Sequence, residues 1–257
     1  MKIAILPDDS TIGSTAADLI EALYQRKPDA VLGIATGSSP LGIYRCLIER
    51  VNDGRLSFAQ GRAFMLDEYV GIALDHPERY RNFIETNLAS QVDFPEGAVN
   101  GPDGNADDLD AACAAYDQAI RDAGGVDLQI LGIGSDGHIA FNEPGESLTS
   151  RTHVGVLTEQ TRRDNARFFD GDLDQVPTHC VTQGVGTIMD ARRIVLVAQG
   201  ANKADAVREL VEGGISARWP ATILQMHPDV WVLVDEAAAS KLELADYYRE
   251  MWDKSAR

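Results

Sequence analysis

Near-continuous apolar runs alternate with helical patterns along the whole chain, and that alternation leaves few folds open. The runs are Lys2–Leu6, Ala30–Thr36, Arg62–Leu66, Val126–Gly134, Thr152–Thr158, Arg193–Gln199 and Val230–Asp235. Several carry almost no polar residue, the pattern of strands covered on both faces. Between them, apolar residues recur at spacings of three and four. In Asn105–Gly125 these are Leu109, Cys113, Tyr116 and Ile120. Asp107 and Asp108 are expected in that helix's first turn, where the dipole favours anions, and Gly124 and Gly125 mark its end. Thr15–Lys27, Pro40–Val51 and Lys203–Gly214 behave alike, and a last amphipathic helix is expected near Glu236–Asp253.

Repeated strand–helix alternation predicts an α/β fold: a doubly wound, mainly parallel sheet with helices on both faces, a Rossmann-like three-layer arrangement. No composition break or repeat divides the chain, so residues 1–257 are expected to form one domain. In such sheets ligands bind beyond the carboxyl ends of the strands, so the polar loops just after strands hold the chemistry.

Charge and composition narrow the function. A net charge of −17 disfavours nucleic-acid binding, which needs a basic surface, and reads as solubility or adaptation to salt. It does not exclude an anionic small molecule, because exposed charges are screened within roughly 8 Å at physiological salt. No apolar run approaches the ~20 residues of a membrane span. The start, "MKIAILPDDS", reads as a first strand and not as a signal peptide. Cys46, Cys113 and Cys180 are scattered without a C-x-x-C pair, which argues against disulfides or zinc and for a reducing cytoplasm.

Three loops follow strands. In "ATGSSPLGIYRCL", Gly37 frees the backbone, Ser39 can cap and Pro40 suits the first helical position. The exposed N–H groups of Gly37, Ser38 and Ser39 can cradle a phosphate, and a plain strand–turn–helix join is equally compatible. In "FMLDEYVG" a strand runs into Asp67 and Glu68. Adjacent residues point to opposite sides, so one acid can face a cleft while the other holds structure; both can also sit in a solvated turn or helix cap. In "GIGSDGHIAFNEP", Asp136, His138 and Glu143 lie at a strand's carboxyl end. In an extended loop Asp136 and His138 share a side, and carboxylates beside a histidine fix its tautomer and favour its charged form. That is acid–base machinery.

The same loop begins with G-x-G-x-x-G, yet a dinucleotide site does not follow. That site needs a helix opening at the third glycine, and Pro144 and Gly145 come too soon. The acid expected about 20 positions on would end the next strand, whereas Glu159 lies beyond it.

Taken together, "ATGSSP", "LDEYVG", "GIGSDGHIAFNEP", "SRTHVGVLT", "RRDNARFFD" and "VPTHCVTQGVGTIMDARRIVLVAQGANKA" resemble the glucosamine-6-phosphate deaminases, also called glucosamine-6-phosphate isomerases, over nearly the whole chain. Sugar-phosphate lactonases share the fold and the D-G-H, but Phe141-Asn142-Glu143-Pro144 resembles the deaminases. The resemblance implies conversion of glucosamine 6-phosphate and water to fructose 6-phosphate and ammonia in N-acetylglucosamine catabolism. The enzyme would be a hydrolase with an isomerase-type mechanism, using no cofactor and no metal. It implies that His138 opens the sugar ring, that Asp136 and Glu143 orient it, and that Asp67 removes the C2 proton. It also implies that Gly37, Ser38, Ser39, Arg167 and Lys203 bind the phosphate; by themselves Arg167 and Lys203 read as surface charges.

Some relatives are activated by N-acetylglucosamine 6-phosphate at a site between subunits of a hexamer. At the matching cationic positions this chain has His153 and Gly155, so that activation is expected to be weak or absent. The hexamer is then also in question, although a homo-oligomer of some kind is compatible with the sequence. The segment Asn142–His153, rich in Gly, Ser and Thr, is expected to be mobile. The competing readings are a 6-phosphogluconolactonase-type hydrolase, a deaminase for another amino-sugar phosphate, and a non-catalytic sugar-phosphate sensor.

Overall fold

A computed structural model describes residues 1–255. Ten strands form: β1 (Lys2–Leu6), β2 (Val31–Ile34), β3 (Arg62–Met65), β4 (Asp67–Tyr69), β5 (Val99–Asn100), β6 (Leu128–Leu131), β7 (His153–Val156), β8 (His179–Thr182), β9 (Ile194–Ala198) and β10 (Val230–Asp235). The helices are α1 (Asp9–Arg26), α2 (Leu41–Asn52), α3 (Tyr80–Asn87), α4 (Leu109–Asp122), α5 (Glu159–Asn165), α6 (Val185–Met189), α7 (Ala204–Glu212) and α8 (Ala245–Ser255).

Seven strands form one sheet in the order β1-β10-β9-β6-β2-β3-β5, and every pairing in it is parallel. All residues of β2, β6 and β9 are buried. Successive strand residues point to opposite faces, so both faces of the sheet are covered. Ile12, Ala16 and Ile20 of α1, Ile43 and Leu47 of α2, and Val207 and Leu210 of α7 join the same core. The apolar runs thus form the predicted sheet because only burial on both faces takes them out of water.

Thr152–Thr158 departs from the expected sheet. Its strand, β7, belongs to a second, antiparallel sheet ordered β4-β8-β7. Around it lies a separate apolar cluster that includes Tyr69, Phe141, Phe169 and Cys180. Neither β4 nor β8 was predicted, because their sequences, Asp-Glu-Tyr and His-Cys-Val-Thr, show no apolar run of the kind that marks the other strands.

Helix ends differ from expectation by local hydrogen bonding. Asp108 is the cap of α4 rather than part of its first turn, its carboxylate accepting from the Ala111 N–H at 2.9 Å. Asp107 lies outside the helix. Pro40 precedes α2 as its cap, and Ser39 makes no capping bond. The last helix starts at Ala245, not Glu236. Ahead of it, the N–H groups of Glu243 and Leu244 donate to the Glu212 carboxylate, each at 2.9 Å.

Candidate active site

The general-base candidate sits where the chain crosses from one sheet to the other. β3 ends at Met65, and Gln183 holds two successive backbone carbonyls there, donating from Nε2 to Met65 O at 2.9 Å and from its backbone N to Leu66 O at 2.7 Å, while the Tyr116 hydroxyl also donates to Met65 O at 2.7 Å. Asp67 then pairs in β4 with Thr182 of β8. The two acids are separated as the alternation predicted. Glu68 is taken up by structure, accepting from the N–H groups of Tyr69, Tyr80 and Arg81 at 3.0, 3.0 and 2.9 Å. Asp67 faces a cleft of about 870 Å3. The solvated-turn alternative is excluded, since Asp67 is only 5 % exposed. Burial, reinforced by the nearby Glu68 charge, pushes its carboxyl up to about 8.

This shift has a stability consequence with a definite sign. The unfolded chain releases the Asp67 proton near 3.8 and the folded chain near 8, so the folded state binds the proton more tightly between those values. Stability held by protonated Asp67 is therefore lost as pH rises from about 4 to about 8. Asp67→Asn removes that loss. Urea midpoints of the wild type are expected to fall relative to the variant across this window. Parallel curves would mean that Asp67 does not carry its proton into the neutral range.

The histidine loop is closed by a tight turn rather than the extended run expected. Gly134 N donates to His138 O at 2.9 Å and Gly137 N to Gly134 O at 3.1 Å. The turn still brings Asp136 and His138 together, with His138 Nδ1 2.8 Å from Asp136 Oδ1 and 3.9 Å from Glu143 Oε2. The contact is close, but Nδ1 is not aligned for a hydrogen bond to that oxygen. Burial alone would raise the Asp136 carboxyl, but the contact with and charge of His138 outweigh it and hold it at about 2. Gly134 is required by close approach, because a Cβ there would stand 2.3 Å from His138 Nδ1. Next, Ala140 has φ +52°, a left-handed conformation costing a non-glycine residue about 1–2 kcal/mol. The strain is held by flanking bonds: Phe141 N donates to Thr182 Oγ1 at 3.1 Å, and Asn142 Nδ2 to Gln183 O at 2.9 Å. The end of β8 thus fastens the histidine loop and the Asp67 strand to each other. No helix opens after Gly137, in keeping with the rejection of a dinucleotide loop.

The cleft gathers His138, Asp67, Gly37, Ser38, Ser39, Arg167 and Lys203, while Asp136 and Glu143 support the histidine from behind. Gly37 has φ +86°, as its turn requires. Lys203 ends a single 3-10 turn, Ala201–Lys203, directly before α7. Its ammonium is depressed chiefly by burial, with Arg167 repelling it and the Asp164 and Asp136 charges opposing the shift. Lys203 is partly buried and Arg167 is exposed at the mouth of the same cleft, so the less solvated Lys203 gains most from an anion between them. A second cavity of about 550 Å3, near Arg62, Gly97 and Asn100, gathers none of the predicted residues.

Several contributors were not predicted. Tyr69 and Tyr80 line the cleft beside Asp67, their hydroxyls 3.2 Å apart. α5 covers it, and Asn165 Nδ2 of α5 donates to the Tyr69 hydroxyl at 2.9 Å. Thr161, also of α5, donates to Glu143 Oε1 at 2.6 Å. Sequence gives Thr158 and Thr161 only a capping spacing. The segment Asn142–His153, expected to be mobile, is pinned by Ser150 and by Thr152, whose hydroxyl donates to Asp117 at 2.6 Å. Among the described residues no helix is long and apolar enough to cross a membrane.

Asp136, His138 and Glu143 also offer ligand atoms within 4.8 Å of one another. They are the same three groups that the sequence reading assigned to acid–base work.

Comparison with known proteins places this arrangement. A protein from Mycolicibacterium smegmatis named glucosamine-6-phosphate deaminase is 68 % identical over 98 % of this chain and 97 % of its own. One of the same name from Streptomyces coelicolor is 54 % identical over the same shares. Among solved structures, one described as a monomeric glucosamine-6-phosphate deaminase superposes with a TM-score of 0.91 at 44 % identity, covering 94 % of this chain and all of its own. A 6-phosphogluconolactonase from Thermotoga maritima, 21 % identical with a TM-score of 0.73 over 91 % of this chain and 99 % of its own, shares the fold. The isomerase half of the expected reaction class has support in these findings, and the hydrolase half has none. The family model described as "Glucosamine-6-phosphate isomerases/6-phosphogluconolactonase" matches residues 10–232, and the chain belongs to that family.

Proposed function

We propose that this protein converts glucosamine 6-phosphate to fructose 6-phosphate and ammonia, without a cofactor. The carrying observation is one cleft that holds a buried carboxylate raised to about 8, a histidine flanked by two acids, and two cations in its lining. His138 moves a proton between the ring oxygen and O1 as the sugar opens. Asp136 and Glu143 hold its ring and balance its charge. Ionised Asp67 takes the proton from C2, next to the new aldehyde, giving an enolamine. A proton returned to C1 gives the imine of fructose 6-phosphate, and water releases ammonia from it.

The raised Asp67 carboxyl suits this step. A base matched to the operating pH is more effective than a fully ionised, solvated one. The substrate's own ammonium, on the same carbon as the proton removed, favours the ionised form on arrival. Arg167, Lys203 and the N–H groups of Gly37, Ser38 and Ser39 bind the phosphate, Arg through paired hydrogen bonds and Lys as a point charge.

Weak or absent activation by N-acetylglucosamine 6-phosphate belongs to the same reading. His153 is engaged by Glu146, Nε2 to Oε2 at 3.2 Å, and a side chain at Gly155 would begin 3.1 Å from Cys180 Sγ. The test is to incubate the protein with glucosamine 6-phosphate and measure ammonia and fructose 6-phosphate, with and without the acetylated sugar phosphate. Both products are expected in equal amounts, with hyperbolic rates that the acetylated compound leaves hyperbolic. Absence of ammonia overturns the function, and sigmoidal curves made hyperbolic overturn the missing activation.

A further inference from the structure

Glu143 is 4 % exposed, and its two carboxylate oxygens have different partners. Oε1 accepts from Thr161 Oγ1 at 2.6 Å and from Thr158 Oγ1 at 3.4 Å. Thr158 Oγ1 also donates to Thr161 Oγ1 at 3.0 Å, which leaves the Thr161 proton for the carboxylate. Oε2 is buried, has no hydrogen-bond partner and stands 3.9 Å from His138 Nδ1. A carboxylate turns about its last bond, and a short hydrogen bond on one oxygen fixes where the other points. Thr161 therefore sets the face of Glu143 that His138 meets.

Thr161 also joins Glu143 to the element that covers the cleft. It lies in α5, which is tied at its other end by Asn165 to the Tyr69 hydroxyl, two residues beyond Asp67. Arg167 follows in the next turn. One short segment thus touches the acid beside the histidine and the strand of the base, and carries one of the cations that line the cleft.

We propose that Thr161 is a positioning residue for the reaction: its hydroxyl orients Glu143 toward His138 and links that orientation to the α5 segment that carries Arg167. The proposal rests on the functional reading above for its kinetic consequence, and on geometry alone for the orientation of Glu143. Thr161→Val keeps the shape and removes the hydroxyl. Loss of a hydrogen bond to a buried charged group predicts a fall in kcat of about 10- to 100-fold. KM is expected to stay within about threefold, because the hydroxyl acts on the catalytic acid and not on the phosphate. Thr161→Ser, which restores the hydroxyl, is expected to recover most of the loss.

Two further measurements separate positioning from a general structural role. In a Glu143→Gln background, adding Thr161→Val is expected to cost little more, since the group through which it acts is already changed. In the unliganded protein, the His138 ring nitrogen resonances measured by NMR are expected to move in Thr161→Val and to stay in place in Thr161→Ser. The proposal is overturned by an unchanged kcat in Thr161→Val, by equal losses in the Ser and Val variants, by an undiminished cost in the Glu143→Gln background, or by unmoved His138 resonances. Should Thr161→Val fail to fold, Thr161→Ala carries the same comparisons. A wild type that releases no ammonia overturns the functional reading, and the NMR comparison still decides this one.

Discussion

Asp67→Asn is expected to lower kcat at least roughly 100-fold, the scale of a positioned general base. The change is nearly isosteric and removes only the ability to take a proton. KM is therefore expected to stay within a few-fold, since the phosphate is held elsewhere in the cleft. Loss of deuterium from C2-labelled substrate into water is expected to stop in the variant. The wild-type profile of kcat/KM carries a second mark. The folded carboxyl sits at about 8, and only its ionised form is a base, so the rate is expected to rise as pH increases through that region. Equal rates of C2 exchange in the two proteins would remove Asp67 from the mechanism. A wild-type limb in the ordinary carboxylate range, near 4, would mean that burial of the side chain is relieved in the working enzyme.

His138→Gln is expected to cost between about 100- and 10,000-fold in kcat, through a different step. Glutamine keeps hydrogen-bonding capacity but cannot exchange a proton near neutral pH. Ring opening then falls to its uncatalysed rate, and the variant uses only the small open-chain fraction of the sugar. Asp67 is intact in this variant, so C2 exchange is expected to fall in step with ammonia release and not to vanish ahead of it. His138 is part-exposed and sits on a turn closed by backbone bonds, so the thermal midpoint is expected to change by only a few degrees. Retention of wild-type kcat would place ring opening on another group.

The two variants probe residues whose legibility in the sequence differed. Asp136, His138 and Glu143 lie within eight positions of one another, so their proximity is a local property of one loop. The detail differed, a tight turn in place of an extended run, but the Asp136–His138 contact is the one the spacing allowed. Asp67 and Glu68 were separated in role by alternation alone, yet nothing local chose which would face the cleft. That choice came from β8, which pairs with Asp67, and from the start of α3, whose N–H groups take Glu68. The anchoring of Asn142–His153 was illegible for a related reason. Composition describes a segment's freedom before packing, and here Asp117 and the end of β8 hold it in place.

Sequence by itself determined the parallel sheet, the positions of its seven main runs save the one that moved to the second sheet, and the three loops that meet at the cleft. Those features follow from patterns a few residues long: continuous apolar runs, helical spacing, and turn residues directly after strands. Tertiary structure alone decided the β4-β8-β7 sheet, the shift of the Asp67 carboxyl, and the reach of Thr161 to Glu143. Each depends on partners brought together by the fold, such as Gln183 on Met65 across 118 positions. Burial and hydrogen bonding act through space, and no local pattern records which distant groups will supply them.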